Sequence, residues 1–265
     1  MKICVLGCGV MGSAIVNGLH KAHGNDIEFV VWDKVSAAAE KIAFAKAVNP
    51  LYWFEEKNEP NAILIAVKPQ GIKEALSVFK FAGKNTLWIS IAAGISVANL
   101  EKTLPSGAKI VRVMPNTPLL VGEGCSAYSL NGLCGDNDKK TVEYIFNSLG
   151  TSFEILENQM NAATGLSGSG PAFVYTIIEA FAEAGVAAGL TYDVALSCAV
   201  KTLMGSAKMV LETKENPSAL KSKVMSAGGT TAAGNFALES GGVRAAIMSA
   251  VISAAKRAEE LGKSL

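Results

Sequence analysis

The chain opens with "KICVLGCGVMG", a short apolar run closing on Gly7, Gly9 and Gly12 at G-x-G-x-x-G spacing. No other stretch limits the fold as strongly. An apolar run of this length bounded by glycine is what a strand buried on both faces looks like. In the turn that follows, each glycine has a task. Gly7 makes a tight turn, Gly9 lets a pyrophosphate approach the backbone, and Gly12 lets a helix pack closely on the strand. The helix so opened, from Val10 to about Lys21, offers free amides and a partial positive charge to phosphates. A chain with 26 glycines can produce this spacing by chance, so its surroundings decide. Here it follows the first strand, opens the first helix, and has Asp33 about twenty residues on, at the end of the second apolar run. That context predicts a dinucleotide site.

Asp33 has two readings. A carboxylate at this point suits the ribose 2′-hydroxyl of NAD and repels the 2′-phosphate of NADP. Yet Lys34 follows at once, Ser36 can donate to a phosphate, and Asp33 can equally cap the next helix. The phosphorylation state of the cofactor stays open on these residues.

Strand and helix signals alternate through the first half. "IEFVVWD" is a second strand and "VSAAAEKIAFAKA", 35–47, a helix. "NAILIAVKP" is a third strand closed by Pro69, and "GIKEALSVFKF", 71–81, a helix. "TLWISIAA" and "KIVRVMPNTP" extend the series, and "GCSAYSL" and "TSFEIL" flank a helix over 138–149. Strands separated by helix-sized segments predict parallel pairing with crossovers, hence a doubly wound sheet.

From about Asn161 the strand signals stop. "PAFVYTIIEAFAEAGVAAG" puts Phe173, Ile177, Phe181 and Ala184 on one helical stripe, with Val174, Ile178 and Gly185 beside it. "YDVALSCAVKTLMGSAKMVLET" and "GGVRAAIMSAVISAAKRAEELGK" read as further helices. Apolar and small residues cover more of their circumference than one buried face requires, and Gly185, Ala188, Gly205 and Ala207 permit close helix approach. A second copy covering these faces is the expectation, a single tightly packed bundle the alternative. The predicted organisation is an α/β, Rossmann-like dinucleotide-binding domain over 1–160 and an all-helical substrate and dimerisation domain over 161–265. At their junction, "GLSGSGPAF" reads as a flexible glycine loop ended by a helix-starting Pro171, with a part in lining a cleft as an additional role.

Composition narrows the function classes. Half the 265 residues are hydrophobic, 18% are charged and the net charge is +1. Nothing in that balance attracts nucleic acid or an anionic membrane. Cys4, Cys8, Cys125, Cys134 and Cys198 form no C-x-x-C pair and have no histidine near them, so no metal site is expected. Scattered in odd number, they suit reduced thiols in a cytoplasmic compartment. The glycines of the first nineteen residues interrupt the apolar core that a secretory leader needs, and no uninterrupted apolar run is long enough to span a bilayer.

A dinucleotide fold suggests hydride transfer, and the side chains on offer restrict the substrate. Removing a hydroxyl proton commonly takes a histidine or lysine. The only histidines, His20 and His23, fall at the end of the first helix and are expected to face solvent, away from the strand ends where ligands bind. Lys68 in "AVKPQ" is left as an acid–base candidate at the end of the third strand, or as a solvated lysine. A C=N substrate relaxes the requirement. An imine is basic enough to be partly protonated near neutral pH, so the protein must supply orientation, a partner for nitrogen and an anion site more than a strong acid. "SAGGTTAAG", 226–234, answers that need. Amides around Gly228 and Gly229 can form an anion-binding concavity, reinforced if a helix begins at Thr230, and a threonine hydroxyl can hold the nitrogen.

At this point the chain resembles the pyrroline-5-carboxylate reductases over essentially its whole length. The resemblance rests on "GCGVMG", "AVKPQ", "VMPNTP", "GLSGSGPAF", "GGTTAAG" and "LESGGVRAAI", in the family's order. It implies reduction of L-1-pyrroline-5-carboxylate to L-proline with NADPH or NADH, by a homodimer at least, and in many members a ring of dimers. It also implies that Leu6, Gly7, Cys8, Gly9, Val10 and Met11, with Ala66, Val67, Lys68, Pro69, Ala92 and Ala93, line the cofactor cleft. Met114, Pro115 and Asn116 would lie near nicotinamide and substrate ring. Amides of Gly229, Thr230 and Thr231 would bind the substrate carboxylate, and the Thr231 hydroxyl would reach the ring nitrogen. Ala227 stands where the family usually has proline, Asn216 replaces a common histidine, Lys214 a glutamate of some members, and Asp33–Lys34 differs from the basic pair of NADP-using members. Two other functions remain to be weighed: a hydroxyacid dehydrogenase using Lys68, and a nucleotide sensor without catalysis.

Overall fold

The computed structural model describes residues 1–49, 59–77 and 86–263. It divides into two compact units, Met1–Ser169 with Ser253–Leu265, and Gly170–Ile252.

The first unit is built on a sheet of eight strands among the described residues. They are β1 (Lys2–Leu6), β2 (Glu28–Trp32), β3 (Lys46–Ala47), β4 (Ala62–Ile65), β5 (Leu87–Ser90), β6 (Lys109–Met114), β7 (Gly124–Leu130) and β8 (Gly150–Glu154), in the order β3-β2-β1-β4-β5-β6-β7-β8. Alternation of side chains explains why these runs are apolar throughout. Ile3 and Val5 of β1 join the core on one face, with Val31, Leu64 and Ile89. Cys4 and Leu6 join the core on the other, with Val30, Ile63, Ile65 and Trp88. All four residues of β4 and of β5 are buried. Each fully buried aliphatic side chain contributes roughly 1.5–3 kcal/mol, so the centre of this sheet anchors the unit.

The structure corrects the expected elements at several points. β6 and β7 pair antiparallel, Val113 opposite Tyr128. Only a short turn, Thr117–Val121, joins them, and so tight a connection cannot cross the sheet. The helix expected over 35–47 is confined to Ser36–Glu40, and Lys46–Ala47 pairs with Val30 and Val31 as β3. Between them Phe44 stacks on His20, ring centroids 3.7 Å apart, and meets the edge of Phe29, so tertiary packing overrides helix propensity. The helix expected over 71–81 is present as Ile72–Ser77; 78–81 lie outside the described residues. The "GLSGSG" stretch is no loop: Met160–Ala163 runs into a π-helical turn, Thr164–Gly168, ahead of helix Gly170–Ala187.

The second unit is helical: Gly170–Ala187, Tyr192–Thr213, Pro217–Lys223, Thr230–Ser240 and the first part of Val243–Lys263. The first two pack closely because Gly185 has no side chain; a Cβ there would stand 2.8 Å from Cβ of Ala195. Ala182, Ala195 and Ala199 are its buried hydrophobic residues. Large apolar side chains, including Tyr175, Leu211, Phe236 and Met248, are exposed on the single chain. Tyr192–Thr213 has the length and average apolarity of a membrane span, although Lys201 and Lys208 interrupt its apolar run.

Candidate active site

The glycine turn has the backbone that its spacing implies. Gly7 takes φ +102°, which a side chain would strain, and its missing Cβ would lie 2.8 Å from the Ala66 carbonyl. Its N–H donates to the Trp32 carbonyl at 2.8 Å, while Ala66 N–H donates to the Leu6 carbonyl at 2.7 Å, so β1, β2 and β4 are stitched together at their ends. At Gly12 a Cβ would run into the Gly7 carbonyl oxygen. Gly9 is different. Nothing lies within 4 Å of the space its Cβ would fill, and Gly9 caps helix Val10–His23 in extended conformation without a side-chain bond. That helix begins with no acidic residue in its first turn, and its first amides have no intrahelical acceptor. Open space at a glycine that starts a helix with unpaired first amides fits a dinucleotide's pyrophosphate.

A cleft of about 370 Å³ runs from this turn. It is lined by Gly7 and Gly9, by Trp32, Asp33, Lys34 and Val35 after β2, and by Ala66, Val67 and Lys68 with Gly71, Glu74 and Ala75 after β4. Asp33 caps no helix, since Val35 precedes Ser36–Glu40 at its cap. Its Oδ2 accepts from the Cys8 N–H at 2.7 Å and its Oδ1 from the Val35 N–H at 2.9 Å. Lys68 is exposed, with Pro69 opening a short turn just after it. Burial and the neighbouring Asp33 push the Cys8 thiol up to about 12, which removes it as a nucleophile near neutral pH. Glu74, which forms an ion pair with Lys34, was missed in the sequence; the signal was an acid early in the helix after "AVKPQ".

Further along the sheet, Ala92 is buried and Ala93 exposed, in the turn after β5. Met114 ends β6, half-buried, its Cε against Gly168 of the π turn, and Pro115 is buried. Asn116 is buried and bonded within the first unit. Its Oδ1 accepts from the Cys125 N–H at 2.8 Å and its Nδ2 donates to the Ser167 carbonyl at 3.1 Å, so it clips β6 to β7 and to the π turn. The histidines do not face open solvent as expected. His20 stacks on Phe44, and His23 contacts the hydroxyls of Ser148 at 2.6 Å and Tyr144 at 2.9 Å, at the helix end remote from the glycine turn.

In the second unit, Gly228 has φ +69° and Gly229 caps helix Thr230–Ser240, which starts where expected. The Gly229 amide, expected to bind a carboxylate, instead donates to the Ser226 carbonyl at 3.1 Å. Thr230 and Thr231 open the helix, and their amides have no intrahelical acceptor; the first return bond comes from Ala233 to the Gly229 carbonyl. No acidic residue stands in the first turn. Two amides and two hydroxyls thus gather at the positive end of a helix. Among the described residues, no three His, Cys, Asp or Glu side chains gather as a metal site would require.

These features define the class: a Rossmann-type dinucleotide-binding protein with an appended helical unit. Comparison with known families specifies it. Residues 2–94 match the family described as NADP oxidoreductase, coenzyme F420-dependent, and residues 157–261 match pyrroline-5-carboxylate reductase dimerisation. The pyrroline-5-carboxylate reductase of Arabidopsis thaliana is 44% identical over 270 residues, covering 99% of this chain and 96% of the relative. Among solved structures, the Coxiella burnetii enzyme of that name is 31% identical with a TM-score of 0.89, covering 98% of this chain and 97% of its own. The Plasmodium falciparum enzyme, solved with NADP bound, is 34% identical with a TM-score of 0.85, covering 99% and 98%. The chain belongs to the pyrroline-5-carboxylate reductase family.

Proposed function

We propose that this chain reduces L-1-pyrroline-5-carboxylate to L-proline with NADPH or NADH, the last step of proline biosynthesis. The observation that carries the reading is the opening of helix Thr230–Ser240: unpaired amides and two hydroxyls with no acid in the first turn, in a member of this family. Bound in the cleft, the reduced nicotinamide supplies a hydride for the imine carbon. Residues 1–160 form the cofactor domain. The pyrophosphate is taken at Gly9 and the opening amides of helix Val10–His23, and Asp33 and Lys34 stand at the adenosine end. Gly7, Gly9, Asp33, Lys34, Ala66, Val67 and Lys68 line the cleft, and the family resemblance adds Leu6, Cys8, Val10, Met11, Pro69, Ala92, Ala93 and Asn116.

Residues 161–265 form the substrate and dimerisation domain. The N–H groups of Thr230 and Thr231 hold the carboxylate, aided by the helix dipole. The Thr231 Oγ accepts a hydrogen bond from the protonated ring nitrogen, fixing the face of the C=N bond that is presented. Because the imine brings its own proton, the chain needs no buried acid; Met114, Pro115 and Asn116 are the residues that the family resemblance assigns to the nicotinamide and the substrate ring. Lys68 offers a cation to the cleft; as acid–base it would serve the alternative hydroxyacid chemistry.

A homodimer covers the exposed apolar side chains of the helical unit, and a ring of dimers is a further assembly in the same proposal. A net charge of +1 supports a small-molecule enzyme without nucleic-acid or membrane partners, and five unpaired thiols support a cytoplasmic setting. The test is a steady-state assay with both cofactors. Cofactor oxidation should require pyrroline-5-carboxylate, with a panel of 2- and 3-hydroxy acids inert. Turnover of a hydroxy acid without turnover of the imine would replace this reading.

A further inference from the structure

Four charged side chains line the dinucleotide cleft, and two of them hold each other. Lys34, just after β2, places its ammonium between both carboxylate oxygens of Glu74, 2.8 Å from Oε1 and 3.1 Å from Oε2. Glu74 lies on helix Ile72–Ser77, which follows β4, so the pair joins the two walls of the cleft. Asp33, beside Lys34, is pinned by the N–H groups of Cys8 and Val35. Lys68, the other cation of the lining, follows β4, which β1 separates from β2 in the sheet.

We infer that Glu74 is a specificity-determining residue that withholds Lys34 from a 2′-phosphate, so that this chain favours NADH over NADPH. The inference rests on the reading of the cleft as a nicotinamide-dinucleotide site. NADPH differs from NADH by one phosphate on the adenosine ribose, and in this fold that ribose is met by the residues closing the second strand. A free cation there welcomes the phosphate, while a carboxylate accepts the bare 2′-hydroxyl and repels the phosphate. Asp33 and Lys34 adjoin in sequence and leave the preference undecided. Glu74 decides it from forty positions on in the chain: it engages the lysine and adds a second carboxylate to the same cleft. Because Lys34 and Glu74 are 72% and 60% exposed, the pair is weak enough for substitution to release the lysine without disturbing the core.

The test is equilibrium titration with NADH and NADPH, read by energy transfer from Trp32 in the cleft wall to the nicotinamide, with competition by 5′-AMP and 2′-AMP. The wild-type protein should bind NADH more tightly. Glu74→Gln should tighten NADPH and 2′-AMP roughly three- to tenfold while leaving NADH and 5′-AMP within about twofold. The gain should disappear in the double variant Glu74→Gln/Lys34→Gln and shrink with added salt. Wild-type preference for NADPH, or a ratio that Glu74→Gln leaves unchanged, overturns the inference and spares the reductase reading. Failure of both dinucleotides to bind overturns both. The predicted shift in binding without imine-dependent turnover upholds the role of Glu74 and removes only the proposed substrate.

Discussion

Gly9 and Gly12 have different reasons to lack a side chain, and the difference is measurable. A Cβ at Gly12 runs into the Gly7 carbonyl, whereas a Cβ at Gly9 meets no protein atom. Gly12→Ala should therefore destabilise the first unit by about 1–3 kcal/mol, as overpacking does. Gly9→Ala should melt like the wild type yet weaken dinucleotide binding by roughly tenfold or more, because the methyl group occupies ligand space. Thermal melts paired with cofactor titration separate the two, and a destabilised Gly9→Ala would make that glycine structural.

Cys8 adds a pH dependence. Its folded thiol ionises near 12, whereas an unfolded cysteine releases its proton near about 8.5. Between those values the folded chain binds more protons than the unfolded one, so stability falls as pH rises through the window; below it the thiol contributes no slope. Denaturant unfolding from pH 8 to 11 should show a shallower alkaline loss in Cys8→Ala. A decline of equal slope in both proteins would clear Cys8 of the effect. The glycines were legible because their backbone demands are local. The engagements of Asn116, Asp33 and the Gly229 amide were not, because each depends on a partner that only the fold brings near.

Between elements, a single carboxylate ties three segments of the first unit. Glu157 accepts from Arg112 of β6 at 2.8 Å and from the N–H of Val97, which opens helix Val97–Thr103, at 3.1 Å. Arg112 is 7% exposed, so losing its partner strands a buried charge. Glu157→Ala should cost about 2–3 kcal/mol, below the range for a fully buried pair because Glu157 itself is partly exposed. Urea titration measures this, and a cost under about 0.5 kcal/mol would mean that water already serves the guanidinium. Strands were legible from apolar runs, and the long helices from their stripes. What failed lay where pairing or packing outweighed local preference, as at Lys46–Ala47, the antiparallel β7 and the π turn. The family departures Lys214 and Asn216 fall in one inter-helix turn. Lys214 closes helix Tyr192–Thr213 at φ 56°, and the Asn216 side chain caps helix Pro217–Lys223 by accepting from Ser218 at 2.8 Å.

At the scale of the molecule, the helical unit of one chain leaves too much apolar surface exposed to stand alone. Leu211 and Phe236 are 76% and 75% exposed. If a second copy covers this surface, folding is linked to association and the thermal midpoint rises with protein concentration. Sedimentation should find an even number of chains; a monomer with a concentration-independent midpoint would contradict it. The excess of apolar residues announced this face in the sequence, but which side chains meet across it depends on a partner's shape.

The central claim is that the opening of helix Thr230–Ser240 binds the substrate's carboxylate and nitrogen. Steady-state kinetics of Thr231 variants with pyrroline-5-carboxylate tests it most directly. Thr231→Ala should lower kcat/KM by about one to two orders of magnitude, and Thr231→Ser, which keeps the hydroxyl, by much less. An unchanged kcat/KM in Thr231→Ala would contradict the account.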